Sequence, residues 1–250
     1  QEGAGCGGGE HLTQVKMTSA VAHFDETFVR KFIHMLDKTN GRDKLYRTII
    51  YGSRLLRWTI QKTTGVEYKF LKIIEDHLSD SRKVFRLLKW LSNFRALVVK
   101  SLPSTFLEFV DHLRHFSLFV YYLYDQFIWM AKIGLVRLDR KALGLRAGKW
   151  WLLSLICGIC LNVSALQKIN QKLDQEKAQQ GVSLQNLENP NIRALLAKRQ
   201  TESVKIVKNI FDSPLAVINA NGWKDRAGPG FIGFFGLVSS LAGMRLQWPK

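Results

Sequence analysis

The chain has 250 residues, of which 46% are hydrophobic, and its 37 lysines and arginines against 20 acidic residues give a net charge of +17. Its three cysteines lack the even, spaced set of a secreted disulfide scaffold, which excludes that class and favours a reducing compartment. The positive charge predicts a polyanionic partner, either nucleic acid or an anionic bilayer.

The N-terminal region, residues 24–102, is predicted to contain a helical hairpin and then a basic helix. A glycine-rich stretch, residues 1–23, precedes it and is typical of a flexible leader. In the first helix, the apolar side chains that recur every four residues are Phe24, Phe28, Phe32 and Leu36. Asn40 and Gly41 predict the turn into the second helix, which continues to about residue 62.

Residues 79–98 are predicted to form one amphipathic helix with an apolar face and a basic face. Such a helix either belongs to a solvated bundle or lies in a membrane interface, with its cations on acidic head groups. Arg95 is a cation inside the apolar face, and its long side chain can reach out of it. The residues predicted to contact a membrane are Arg82, Lys83, Val84, Phe85, Arg86, Leu87, Leu88, Lys89, Trp90, Leu91 and Phe94.

Three long apolar runs predict membrane helices in the remainder of the chain. Residues 116–136 are apolar nearly all round, and residues 150–166 contain no charge and open on two tryptophans. The second run is therefore the best candidate for a transmembrane helix. The third run, residues 229–244, carries small residues that would allow a second helix to approach closely, namely Gly230, Gly233, Gly236 and Gly243.

The predicted fold class is all-α, a membrane protein with two to three apolar membrane helices beside the hairpin and the interfacial helix. Membrane-embedded helices are predicted over residues 103–166, a polar helical connector over 167–226, and a C-terminal apolar segment and tail over 227–250. A soluble protein with an all-buried core is the alternative, because each run is at the short end of what spans a bilayer.

Few residues in the sequence suggest a catalytic, metal-binding or transport function. Asp125 lies in an apolar run with Gln126 and Lys132, where an acid is usually paired or functional unless it simply faces water at the interface. Cys157 and Cys160 have redox or zinc spacing but no second pair, so we interpret them as packing residues. A mixed polar face that could hold a metal comprises Glu108, Asp111, His112 and His115. The sequence has no phosphate loop or catalytic triad signature, and it predicts no enzyme, cofactor or metal.

One stretch, residues 37–58, closely resembles the signature of the peroxisomal biogenesis factor 11 family. The residues that carry this resemblance are Lys38, Gly41, Arg42, Asp43, Lys44, Arg47, Tyr51, Gly52, Ser53 and Arg54. Three later stretches are similar to further family segments in the same order. They are the amphipathic helix at residues 81–90, an Asp-Gln-Trp apolar segment at 124–136, and the C-terminal apolar segment at 230–243.

The resemblance implies an integral peroxisomal membrane protein that self-associates, elongates the organelle and recruits the fission machinery, a dynamin-related GTPase and its adaptor. Physically, an amphipathic helix wedged into one leaflet expands the head-group side and favours positive curvature. In this hypothesis Arg82, Lys83, Arg86 and Lys89 bind anionic phospholipid, and the C-terminal glycines provide the contact for homo-oligomers.

Two other functions are weighed against membrane remodelling. In the first, a channel for small metabolites or ions, Asp125, Gln126 and Lys132 would line a wet path between helices. The second, nucleic-acid binding, is suggested only by the net charge. The three apolar runs argue against it, so we predict no nucleic-acid partner.

Overall fold

The computed structural model describes residues 26–180 and 189–249, and every regular element in these ranges is a helix. The helices are α1 (26–36), α2 (Thr39–Thr64), α3 (Lys69–Phe85), α4 (Trp90–Val99), α5 (Phe106–Lys132), α6 (Arg140–Gln180), α7 (Pro190–Asn221), α8 (Lys224–Ala227) and α9 (Pro229–Gln247). The predicted all-helical class is confirmed. The predicted leader, residues 1–23, lies outside the described residues.

The ends of the helices follow from local side-chain chemistry. α2 ends at Gly65, whose φ of 71° closes the helix with a hydrogen bond to the carbonyl of Gln61. α5 begins with a capping box, in which Thr105 accepts from the backbone N–H of Glu108 while the Glu108 carboxylate accepts from the backbone of Thr105. Glu108, one of the candidate metal ligands, therefore has a structural role.

The turn between α1 and α2, at residues 37 and 38, lies three residues earlier than predicted. α2 begins at Thr39, so that Asn40 and Gly41 belong to its first turn. Gly41 is buried directly against the backbone of Met35, and any Cβ at this position would collide with the Met35 carbonyl. The glycine is thus required by close packing at the hairpin turn.

The basic segment forms two helices, which corrects the prediction of one continuous helix over residues 79–98. α3 ends at Phe85, α4 begins at Trp90, and a turn of four residues separates them. Within this turn Leu88 has φ of 58°, a left-handed conformation that is costly for a residue with a Cβ.

The three apolar runs lie in α5, α6 and α9. Two of these helices, α6 over Arg140–Ala178 and α9, are long and apolar enough to cross a membrane, and most of their apolar windows are not buried within the protein. α6 is about 60 Å long, twice the roughly 30 Å of a bilayer core. The predicted connector therefore begins as a continuation of α6 and not as a separate helix.

Packed helices surround the centre of the molecule. α2 packs antiparallel along α9, while α6 packs between α5 and α7, and α7 also contacts α9. The buried apolar cluster is small, consisting of Leu215, Ile218 and Ile232 with partly buried neighbours. Much of the remaining interior is polar and charged.

Candidate functional site

A central cavity of about 580 Å³ lies between α2, α3, α5, α6, α7 and α9. Among the described residues, eleven lysine and arginine side chains line it, but only three acidic side chains do so. The basic residues are Lys44, Arg47, Arg54, Arg82, Lys83, Arg86, Lys89, Arg114, Arg140, Lys208 and Lys224, and the acidic ones are Asp43, Asp125 and Asp212. The cavity is strongly cationic.

Asp43 is the centre of one ion-pair cluster. Its carboxylate accepts from Arg82 Nε at 3.0 Å and lies 3.8 Å from Arg86 Nε and 3.4 Å from Lys44 Nζ. Burial alone would raise the pKa of Asp43, but the positive charges of Arg82, Lys44 and Arg86 hold that pKa well below its usual range. The cluster joins the start of α2 to the end of α3.

Asp212 on α7 is the centre of a second cluster and is almost completely buried. It accepts from Arg47 on α2, from Ser239 on α9, and from Lys208 Nζ at 3.0 Å. Burial opposes ionisation, yet the charges of Arg47 and Lys208 hold the pKa of Asp212 well below its usual range. Three helices distant in sequence therefore meet at one carboxylate.

Lys44 lies between the two clusters. Burial, together with the neighbouring charges of Arg47, Lys208 and Arg82, lowers the pKa of Lys44 to about 7, although Asp43 opposes this shift. Burial and the three neighbouring cations thus disfavour the charged form of Lys44 more than Asp43 favours it.

The remaining residues of the family-like signature also make contacts within the chain. Arg54 donates to Glu75 on α3, and Tyr51 lies between Arg47 and Arg54, each about 5.5 Å from its ring centre. Arg42 donates from Nε to the carbonyl of Leu36 at 2.6 Å, across the hairpin turn. Lys38 is exposed and precedes α2. The signature thus connects α2 to α1, α3, α7 and α9.

The cations of the segment predicted to bind membrane face the interior. Arg82 bonds Asp43, and Arg86 lies 3.1 Å from Asp125 and donates to the hydroxyl of Tyr121. This placement corrects the expectation of a free basic face at Arg82 and Arg86. Binding of anionic lipid by these arginines stays a prediction.

The two lysines of this segment are half-buried. Lys83 lies 4.0 Å from Asp80, and Lys89 donates to Asn40 Oδ1 at 2.9 Å, with its ammonium group above the ring of Tyr122. Burial lowers the pKa of both lysines. They line the central cavity together with the two arginines.

The apolar side chains of the same segment divide between the interior and the outside. Phe85 packs on Tyr46, Trp90 packs on Phe119, and Leu87 is half-buried. A row of exposed side chains forms what we call the outer apolar surface: Val84, Leu88, Leu91, Phe94, Val98, Val99 and Leu102.

The three candidate pore residues are not brought together. Asp125 lines the cavity and pairs with Arg86, whereas Lys132 pairs with Asp80 at the half-exposed end of α5. Gln126 is not among the described residues that line the cavity. The channel therefore stays a prediction.

The C-terminal glycines face α2 of the same chain. Gly230 lies against Trp58, and Gly233 against the backbone of Leu55. Gly236 lies against Tyr51, and Gly243 against the side chain of Lys44. These glycines let the two helices approach closely, so the face expected to join two copies is already occupied within the chain.

Several residues of the site were not singled out by the sequence, above all Asp212, Lys208 and Glu75. Asp212 could have been recognised as a candidate, because it is an acid in the otherwise apolar stretch around residues 210–218. Asp125 was singled out for the same reason in its own run. Its partner Arg47 lies 165 residues away in the sequence. No local pattern could have paired them.

Comparison with known proteins gives one consistent result. The family model of peroxisomal biogenesis factor 11 matches residues 29–248. The chain is 26% identical over 246 residues to the Dictyostelium discoideum peroxisomal membrane protein 11 homolog, covering 89% of this chain and 95% of the relative. It is 27% identical over 232 residues to Arabidopsis thaliana peroxisomal membrane protein 11B (89% and 98%), and 26% over 239 residues to Homo sapiens peroxisomal membrane protein 11A (85% and 94%). No solved structure matches.

The fold and the site define an all-helical membrane protein with a charged interior, an apolar outer surface and two helices able to span a bilayer. The chain belongs to the peroxisomal biogenesis factor 11 family. It is thus a non-enzymatic protein of the peroxisomal membrane, and its membership implies a role in peroxisome proliferation.

Proposed function

We propose that the chain remodels the peroxisomal membrane by inserting its outer apolar surface into one leaflet. The observation that carries this proposal is the row of apolar side chains that project outward, reaching 73% exposure at Val99 and 91% at Leu102. Exposed apolar surface costs about 25 cal/mol per Å² in water. A contiguous patch of this kind marks a membrane or protein contact.

Insertion of this surface would expand the head-group side of the leaflet and favour positive curvature, as many copies accumulate on one tubule. α6 and α9 would hold the chain in the bilayer. Arg95 is exposed on α4 and would contact anionic phospholipid, at about 1 kcal/mol for a cation near the surface.

The buried ion pairs would couple the inserted segment to the membrane helices. Arg82 ties the end of α3 to α2 through Asp43, and Arg86 ties the turn before α4 to α5 through Asp125. α4 itself packs on α5. The wedge would thus have a fixed depth and orientation relative to the body of the protein.

Homo-oligomers and the fission machinery, a dynamin-related GTPase and its adaptor, complete the proposal and rest on the family alone. Because α2 covers the glycine face of α9, a second copy would have to use another face of this helix. Its exposed large side chains are Phe231, Phe234 and Leu241.

The experiment compares Leu91→Glu with Ser92→Glu in full-length protein reconstituted into liposomes of phosphatidylcholine and phosphatidylserine. Both positions are exposed on α4 and both changes add one negative charge, but only Leu91 belongs to the outer apolar surface. We expect Leu91→Glu to remove tubulation seen by electron microscopy, while the protein still co-floats with the liposomes.

The control variant, Ser92→Glu, should tubulate the liposomes as the parent does. Adding Val98→Glu to Leu91→Glu should remove any residual tubulation. Tubulation by the double variant at the parent level would contradict the proposal.

A further inference from the structure

The central cavity holds more positive charge than the described chain neutralises. Four of its eleven cations, Lys89, Arg114, Arg140 and Lys224, form no ion pair with a carboxylate in the described ranges. Arg140 and Lys224 are exposed, but Lys89 and Arg114 are half-buried. For these two the missing carboxylate is costly, because a half-buried charge loses hydration without gaining an equal attraction. A protein that keeps such an excess around a cavity has reason to hold a counter-ion there.

Donor groups converge in the part of the cavity near α6. The positions of Arg114 Nε and Asn209 Nδ2 lie 3.5 and 3.1 Å from where a Cβ of Gly158 would stand. Asn209 is buried, and its Oδ1 already accepts from Lys208 Nζ at 3.0 Å. Gly158 therefore lets Arg114 and Asn209, which both line the cavity, approach α6 closely and lie near each other. An anion is the ligand that such N–H donors bind best.

The dimensions of the cavity select a small ligand. Its volume of about 580 Å³ is within the range of about 300–1,000 Å³ that is usual for small-molecule sites. Arginine guanidinium groups match the oxygens of phosphate in pairs, and lysines add point charges. The low pKa of Lys44 has the same physical origin, since burial and nearby cations disfavour its charged form.

We propose that this cavity is a binding site for a multiply charged phosphate anion, either a soluble phosphate compound or the phosphorylated head group of a lipid. The bound phosphate would contact Arg114 and Asn209, and its charge would offset that of Lys44, Lys89 and Lys208. The site does not include the outer apolar surface, so phosphate binding and membrane remodelling are tested independently.

The test measures binding of pyrophosphate to the full-length chain in zwitterionic detergent, by isothermal titration calorimetry and by the shift of the melting temperature. Each hydrogen bond to a charged group contributes about 1.5–3 kcal/mol, equivalent to about tenfold or more in affinity. The variant Lys89→Gln with Arg114→Gln should therefore weaken binding at least tenfold.

The matched control is Lys62→Gln with Lys69→Gln, which removes the same charge from exposed positions outside the cavity. It should bind within about twofold of the parent, because salt screens exposed charges that do not line the cavity. A second cavity variant, Arg140→Gln with Lys224→Gln, changes exposed positions and so should fold normally while still reducing affinity.

Two further arms distinguish the source of the phosphate. Nanodiscs of phosphatidylcholine with phosphatidylinositol 4-phosphate should compete with pyrophosphate if the ligand is a lipid head group, whereas phosphatidylcholine nanodiscs alone should not. If pyrophosphate binds and neither kind of nanodisc competes with it, the ligand is a soluble phosphate compound. The proposal is overturned if pyrophosphate fails to bind, if sodium chloride at equal ionic strength gives the same stabilisation, or if the cavity and control variants bind equally.

Discussion

The interior of this protein and its outer surface reverse the usual placement of charge and apolar surface. Around the cavity, Asp43 and Asp212 hold cations from three helices at positions that are nearly inaccessible to solvent. Along the outer surface, Val98 and Leu102 project outward without cover from the described chain. In a water-soluble protein the large apolar residues would be the buried ones. The contrast shows that ion pairs organise the inside, and the outer apolar surface is the one that we propose to lie in lipid.

The largest effect is expected where the interior depends on one carboxylate. Asp212→Asn leaves Arg47 and Lys208 without their common counter-charge, and breaking a buried pair in this way costs about 3–5 kcal/mol. Unfolding of the detergent-solubilised protein, followed by circular dichroism in urea, measures this loss. The matched control is Glu26→Gln, which removes the exposed pair with Arg30 and should cost no more than about 0.5 kcal/mol.

The same variant has a pH signature. The pKa of Asp212 is lowered in the folded state, so the carboxylate stabilises the protein above its unfolded pKa of about 3.9. That contribution is lost as the pH falls, because the unfolded chain takes up the proton first. The difference between parent and Asp212→Asn should therefore narrow below about pH 4, and a constant difference would contradict the role of this charge.

An intermediate effect is expected where α2 and α9 touch. Gly236→Ala places a Cβ in collision with ring atoms of Tyr51, and overpacking of this kind costs about 1–3 kcal/mol. Gly52→Ala is the control on the opposite helix, since its Cβ would meet only Leu237 Cδ1 at 3.9 Å. Helix propensity favours that alanine by about 1 kcal/mol. The two variants should thus shift the urea midpoint in opposite directions.

The smallest effect is expected on the outer surface. Val98→Ser should change the free energy of unfolding in detergent by no more than about 0.5 kcal/mol, because the side chain packs little against the protein. The same change should reduce retention of the chain on liposomes only slightly, since α6 and α9 still anchor it. A loss of more than about 1 kcal/mol would mean that this surface is part of the core.

The features that the sequence predicted correctly are local ones. Helical periodicity predicted the first hairpin, and the absence of charge predicted apolar helices at residues 150–166 and 229–244. The signature at residues 37–58 pointed to the family that the comparison confirms. Each of these signals is contained in a short window of sequence.

The features that were missed depend on distant parts of the chain. The break at Leu88 has neither glycine nor proline to mark it, and the periodicity of the flanking residues continues across it. The inward orientation of the Arg82 and Arg86 side chains could not be predicted either. An amphipathic pattern identifies an apolar and a polar face, but it does not say which face packs against the rest of the protein. Their partners, Asp43 and Asp125, come from other helices.

The inward direction of Arg82 and Arg86 has a consequence for work with fragments. A synthetic peptide of residues 81–98 contains neither Asp43 nor Asp125, so its guanidinium groups would be free to bind acidic lipid. Such a peptide would also be free to form one uninterrupted helix. Its affinity for anionic vesicles would then exceed that of the same residues in the intact chain, and its behaviour would describe the fragment and not the protein.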